Sequence, residues 1–121
     1  MEMYSEAVLR YYEKPPNKSK MHDADTQGHL DNPLCGDEVT VYLKIKNGVV
    51  EKASFDGQGC AVSQASASML LESLEGKKLS EVKKTGEKAV LKMLGGKISP
   101  ARLKCAFLGL KALKNAVKEK A

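Results

Sequence analysis

The stretch Gly57-Gln58-Gly59-Cys60-Ala61-Val62-Ser63-Gln64-Ala65-Ser66-Ala67-Ser68-Met69-Leu70 places two glycines and a cysteine directly before a run of small residues. That order reads as a tight corner between a strand and a helix. The glycines admit backbone conformations and close approaches that a Cβ forbids. Beyond Cys60, residues Val62, Ala65, Met69, Leu70 and Leu74 mark an amphipathic helix that ends near Gly76. A thiol at the first turn of a helix lies beside unpaired N–H groups and the positive end of the dipole. Both favour the thiolate, the nucleophilic and metal-binding form. The plainer alternative is a small buried cysteine at a tight turn.

Upstream, Val39, Val41, Leu43 and Ile45 alternate with Thr40, Tyr42, Lys44 and Lys46, the pattern of a half-buried strand. Val49 to Phe55 reads as a second strand, with Asn47-Gly48 at the hairpin. A two-residue loop pairs Val41 with Ser54 and Leu43 with Lys52, apolar against polar. A three-residue loop Lys46-Asn47-Gly48 pairs Ile45 with Val49, Val41 with Ala53 and Val39 with Phe55. It restores one apolar face, interrupted only by Glu51, and is therefore expected.

The N-terminal segment from Ser5 to Glu13 carries Tyr4, Val8, Leu9 and Tyr12 at helical spacing, with Ser5 as cap and Pro15-Pro16 as stop. Residues 17–34 are polar and aperiodic, which predicts a long functional or mobile loop. His22 and His29 fall in it and read as solvated side chains more readily than as ligands. Ser80 to Lys84 reads as one short turn, and Thr85 as the cap of a helix carrying Val90, Leu91 and Leu94, stopped by Gly95-Gly96. Ser99-Pro100 opens a final helix that buries Leu103, Ala106, Phe107, Leu110, Leu113 and Val117. Cys105 lies roughly 125° from the centre of that stripe. It shares a narrow line of small residues with Gly109, Ala112 and Ala116, suited to the close approach of another backbone or a compact ligand. Together these elements predict an α+β fold: a small antiparallel sheet of about three strands with helices packed on one face, in a single domain over 1–121 whose first 34 residues are a helix plus a mobile loop.

Totals narrow the function. A chain of 121 residues builds one core, not two. Three cysteines, none close to another, exclude a disulfide framework and the Cys-x-x-Cys knuckles of a zinc ribbon. With four Tyr, two Phe and no Trp there is little to stack on single-stranded nucleic acid. No apolar run matches a membrane span or signal-peptide core, so a cytoplasmic protein with no membrane partner is expected. Charge is uneven: residues 1–60 sum to −3 and residues 61–121 to +8. The lysines of the second half lie along helical segments without a nucleic-acid reader motif, so a solvated face or an acidic protein partner is expected.

The cysteines themselves define a candidate site. Cys35 sits in the turn-rich stretch Asn32-Pro33-Leu34-Cys35-Gly36-Asp37. A hairpin returns the chain to the end of the sheet where it began, which brings Cys35 towards Cys60. Asp37, two residues from Cys35, projects to the same side in extended geometry. With Cys105 these make three thiolates and one carboxylate. Soft sulfur binds Zn²⁺ or cluster iron well, and a hard oxygen is the poorer partner, so such a site can open and release its cargo. Lys104 adjoins Cys105 and either assists a thiolate or persulfide there or is a solvated surface lysine.

Asn-Pro-Leu-Cys-Gly-Asp (32–37), Gly-Gln-Gly-Cys-Ala-Val-Ser-Gln-Ala-Ser-Ala-Ser-Met (57–69) and Arg-Leu-Lys-Cys (102–105) resemble the three cysteine motifs of the IscU/SufU/NifU-N family. The opening Tyr-Ser-Glu-Ala-Val-Leu-Arg-Tyr-Tyr-Glu-Lys-Pro-Pro-Asn (4–17) resembles that family's N-terminal helix, so the likeness spans nearly the whole chain. The resemblance implies an iron–sulfur cluster assembly scaffold. It would accept sulfur from a cysteine desulfurase, build a labile [2Fe-2S] cluster on Cys35, Asp37, Cys60 and Cys105, and pass it to apo-proteins. Either Cys105 or Cys35 would accept sulfur first, with Lys104 as a candidate assisting cation. The alternative it allows is a zinc-dependent sulfurtransferase of SufU type, with Zn²⁺ on the same four residues. IscU-type members carry His where this chain has Lys104, as SufU-type members do. SufU-type members carry an extra segment between the second and third cysteines, which this chain lacks. Residues 98–104 read Ile-Ser-Pro-Ala-Arg-Leu-Lys, not Leu-Pro-Pro-Val-Lys, so a dedicated IscU-type chaperone finds no docking motif.

Overall fold

The computed structural model describes residues 6–33, 36–95 and 98–118. In chain order the elements are α1 (Glu6–Glu13), β1 (Thr26–Asn32), β2 (Asp37–Lys46), β3 (Val49–Gln58), α2 (Ala61–Leu74), α3 (Leu79–Lys83), α4 (Glu87–Met93), a 3-10 turn (Pro100–Arg102) and α5 (Leu103–Val117). The three strands form one antiparallel sheet in the order β1-β2-β3, with α5 packed on β1 and β2 and α2 on β3. The α+β architecture is as the sequence predicts.

Alternation in β2 does its work: Val39, Val41 and Leu43 are fully buried while Thr40, Tyr42 and Lys44 are half-buried on the other face. The hairpin corrects the expected three-residue loop. Asn47 and Gly48 alone make the turn, both at positive φ (53° and 75°), which leaves Lys46 opposite Val49 and Ile45 opposite Val50. A bulge then shifts the register, so that Leu43 faces Ala53 and Val41 faces Phe55. The demand for one apolar face is met, but the extra residue sits in β3 and not in the turn.

The larger correction is β1, in a stretch read as aperiodic loop. Its central inward position is Gly28, pressed so closely on α5 that a Cβ there would lie 2.2 Å from the Ala112 carbonyl oxygen and 2.5 Å from the Ala116 nitrogen. A strand that presents glycine to the core gives no apolar alternation to read. Polar bonds complete the seam: Thr26 Oγ1 donates to the Ala116 carbonyl at 2.7 Å and Asn115 Nδ2 to the His29 carbonyl. Residues 17–25 are likewise tied down. Phe55 N donates to the Asn17 carbonyl and Ser19 N to the Phe55 carbonyl, which closes the edge of β3. Lys44 pairs with Asp23, and Asp25 accepts from Ile45 N, which carries the chain to β1.

Helix α2 is not amphipathic as expected but central. Every residue from Val62 to Leu71 is buried, including Ser63, Gln64, Ser66 and Ser68, because the sheet, α1, α4 and α5 surround it. Ser66 meets this with a bond to the Ala106 carbonyl at 2.6 Å. In α1, Val8 is buried and Tyr11 donates to Glu72, whereas Leu9 and Tyr12, expected on the buried stripe, are 43% and 46% exposed. Tyr4, Ser5 and Gly96 lie outside the described residues. Gly86, not Thr85, precedes α4, since the Thr85 hydroxyl bonds back to the Glu81 carbonyl. Helix α5 buries Cys105 through Leu110, then Ala112, Leu113, Ala116 and Val117, with Leu103 only half-buried. Its small-residue line is a packing seam: Gly109 lies against Ala67 of α2, and Ala112 and Ala116 lie against Gly28. No helix among the described residues is long and apolar enough to cross a membrane.

Candidate functional site

Three elements meet where β2 begins, β3 ends and α5 starts. Asp37 is the first residue of β2, paired across the sheet with Asn32 and 5% exposed. Cys60 follows β3 as the cap residue of α2, in extended conformation, and its sulfur makes no capping bond. Cys105 enters from the first turn of α5 and is 5% exposed. A carboxylate oxygen of Asp37 and the two sulfurs all lie within 4.8 Å of one another. Cys60 is half-exposed, so the group is buried on two sides and open on the third.

The glycines before Cys60 shape this pocket. At Gly59 a Cβ would lie 2.4 Å from Ser63 Oγ and 2.8 Å from Asp37 Cγ, so only glycine leaves room for the carboxylate. Gly57, at φ 148°, has the Glu38 carbonyl oxygen 2.1 Å from where a Cβ would stand. Ser63 Oγ donates to the Cys60 carbonyl at 3.0 Å, and Gln64 N donates to the same oxygen at 3.1 Å, which fixes the corner. Cys60 N points at Asp37 Oδ2 at 3.5 Å. The close approach expected at the glycines is met at Gly59, whereas Ser63 is a site-shaping residue that the sequence reading passed over; the signal was Gly-x-Gly-Cys-x-x-Ser itself.

Burial, followed by the neighbouring Cys60 and Asp37, pushes the Cys105 thiol up to about 12. Without a cation, then, Cys105 holds its proton. A cation among the three donors reverses the balance, because it stabilises the thiolate that burial disfavours. Two soft sulfurs and one hard oxygen suit Zn²⁺ or iron better than Ca²⁺ or Mg²⁺.

Of the remaining candidates, Cys35 lies outside the described residues, two positions before Asp37 in the chain. Lys104 is exposed beside Cys105. Neither histidine belongs to the donor group: His22 is exposed, and His29 Nδ1 meets Thr40 Oγ1 at 2.7 Å on the sheet's other face.

A family model described as the NifU-like N terminal domain matches residues 3–120. The chain belongs to that family. As a NifU-like N-terminal domain it is 40% identical to a Thermotoga maritima protein named iron-sulfur cluster assembly scaffold protein IscU, over 97% of this chain and 94% of that one. It is 33% identical to the zinc-dependent sulfurtransferase SufU of Bacillus subtilis, over 95% of this chain and 89% of that one. Among solved structures, a SUF-system scaffold protein from Fervidobacterium islandicum superposes with a TM-score of 0.82 at 29% identity, covering 94% of this chain and 96% of that one. The NifU-like match includes every residue of the donor group.

Proposed function

We propose that this chain is an iron–sulfur cluster assembly scaffold. The observation that carries the reading is the convergence of Asp37, Cys60 and Cys105 within 4.8 Å. Relatives named as IscU scaffolds, at 40% and 37% identity, support it. Cys35 completes a four-ligand set of three thiolates and one carboxylate, which holds a [2Fe-2S] cluster transiently. The oxygen of Asp37 is the weak ligand, and the half-exposed side at Cys60 is the route by which cargo leaves for an apo-protein. Sulfur arrives from a cysteine desulfurase. The thiolate of Cys35, or of Cys105 once a bound cation has displaced its proton, attacks the outer sulfur of the donor's persulfide, a new S–S bond forms as the old one breaks, and the donor's cysteine leaves as thiolate.

A second reading keeps the same residues around Zn²⁺ and makes the chain a sulfurtransferase. The Bacillus subtilis relative and the lysine at position 104 favour it. Length does not separate the two. Both this relative and the Thermotoga maritima scaffold align over 133 positions against 121 residues here, so each carries residues this chain lacks.

Anaerobic reconstitution with iron and sulfide decides between them. The scaffold binds both in a visible-absorbing centre and transfers it to an apo-ferredoxin. A chain that takes up neither, yet speeds desulfurase turnover when loaded with zinc, is the sulfurtransferase.

A further inference from the structure

Residues 100–118 carry five cationic side chains (Arg102, Lys104, Lys111, Lys114 and Lys118) and no Asp or Glu. Lys104, Lys111 and Lys118 recur every seven residues, so they stand within about 40° of one another around α5, at intervals of about 10 Å. All three are exposed, and none forms an ion pair among the described residues. The flanks of the ridge are already occupied. Ala112 and Ala116 pack on β1, and Lys114 donates to the Lys83 carbonyl of α3.

A helix face that serves solubility alone mixes signs and places acids in its first turn. Helix α5 has no acid in its first turn. Lys104 stands there against the dipole, at a cost of about 0.3–1 kcal/mol. The dipole favours Lys118, at the C-terminal end, but accounts for neither Lys104 nor Lys111. The ridge also has a direction: it ends at Lys104, the neighbour of Cys105 in the donor group.

We infer that this ridge is the docking face for the sulfur-donating protein, which meets it with a strip of carboxylates beside its persulfide-bearing cysteine. The inference rests on the sulfur-accepting function proposed above. A persulfide arrives as an anion, and a row of cations leading to the thiols attracts it. The thiols of an apo-acceptor are mostly neutral at pH 7 and gain less from the same field. Positive charge aligned with the site steers the encounter and sets its orientation.

The test compares the full chain with a Lys111→Glu/Lys118→Glu variant, using a purified, persulfide-charged cysteine desulfurase that delivers sulfur to the wild type. At low ionic strength the variant associates about tenfold more slowly or worse, and the salt dependence seen with wild type flattens. Zinc uptake, and cluster assembly from iron and inorganic sulfide, equal those of wild type, since neither lysine touches the donor group. That equality also shows the variant is folded. Equal association rates for the two chains overturn the ridge and leave the function standing; failure of the wild type to take up either metal overturns the function instead. Two further arms cover other occupants. A short DNA duplex, or a second copy offering the Asp31 and Glu38 carboxylates of its sheet, that binds wild type but not the variant while desulfurase rates stay equal, assigns the ridge elsewhere and overturns the inference.

Discussion

Gly59 is where the site is most sensitive to a single methyl group. A Cβ at that position would contact both Asp37 and Ser63 closer than side chains tolerate. Gly59→Ala therefore pushes the carboxylate out of the donor group. Zinc affinity is expected to fall by at least the roughly tenfold that losing support behind a ligand costs at metal sites, because here a donor itself is displaced, as read by competition with a chromophoric chelator. Cys105 makes a second prediction. Its folded-state value is raised from 9.0 to about 12, so the folded protein keeps a proton that the unfolded chain gives up. The associated stability is fully present below pH 9 and is lost as pH rises from 9 towards 12. Urea denaturation of the metal-free protein at pH 8 and above pH 9 is expected to show that loss, and Cys105→Ala to flatten it. The donors were legible because cysteine spacing and Asp37 carry their chemistry in the residue type. Ser63 was not, since it is one of three serines in a run of small residues and looks like filler until the fold sets it beside Gly59 and on the Cys60 carbonyl.

Legibility at the scale of elements followed the side chains that face the core. Strand β2 announced itself by alternating valines, and α5 by a long apolar stripe. Strand β1 was invisible because its contact with α5 is made by Gly28. The same contact predicts its fragility. Gly28→Ala drives a methyl group into the Ala112 carbonyl, which costs about 3 kcal/mol if α5 shifts by no more than overpacked cores usually do. Urea denaturation measures this directly, and an unchanged midpoint removes the seam from the account of stability. Helix α2 misled in a different way. Val62, Ala65, Met69, Leu70 and Leu74 make a stripe that reads as amphipathic, whereas the alanines and serines between them are what let four neighbours crowd one helix. The hairpin shows that the right physical demand admits more than one solution: an apolar face can be restored by a loop or by a bulge, and alternation alone does not choose.

For the molecule as a whole, the site is a property of topology. One hairpin returns to the sheet end where Asp37 begins, and a helix from the far end of the chain closes over it. Because the unfolded chain does not assemble these donors, a bound cation acts as folding free energy. Zinc at about a hundredfold its Kd is expected to add about 2.7 kcal/mol to unfolding. Paired denaturation curves with and without zinc check it, and Cys60→Ala abolishes the gain. Charge asymmetry, too, was readable in the sequence as a sum, but only the helical phase of Lys104, Lys111 and Lys118 gives it a line and an end.

The seam between Gly28 and the second half of α5 has one more consequence. With Ala112, Asn115 and Ala116 held against β1 by contact and by hydrogen bonds, the C-terminal part of that helix is bolted down. Cys105 rides at the opposite end, seven residues from Ala112. The near end is pinned as well, by Ser66 on the Ala106 carbonyl and by Ala67 against Gly109, so the helix is a beam fastened at two points, and any give in the donor group is left to the partly exposed Cys60.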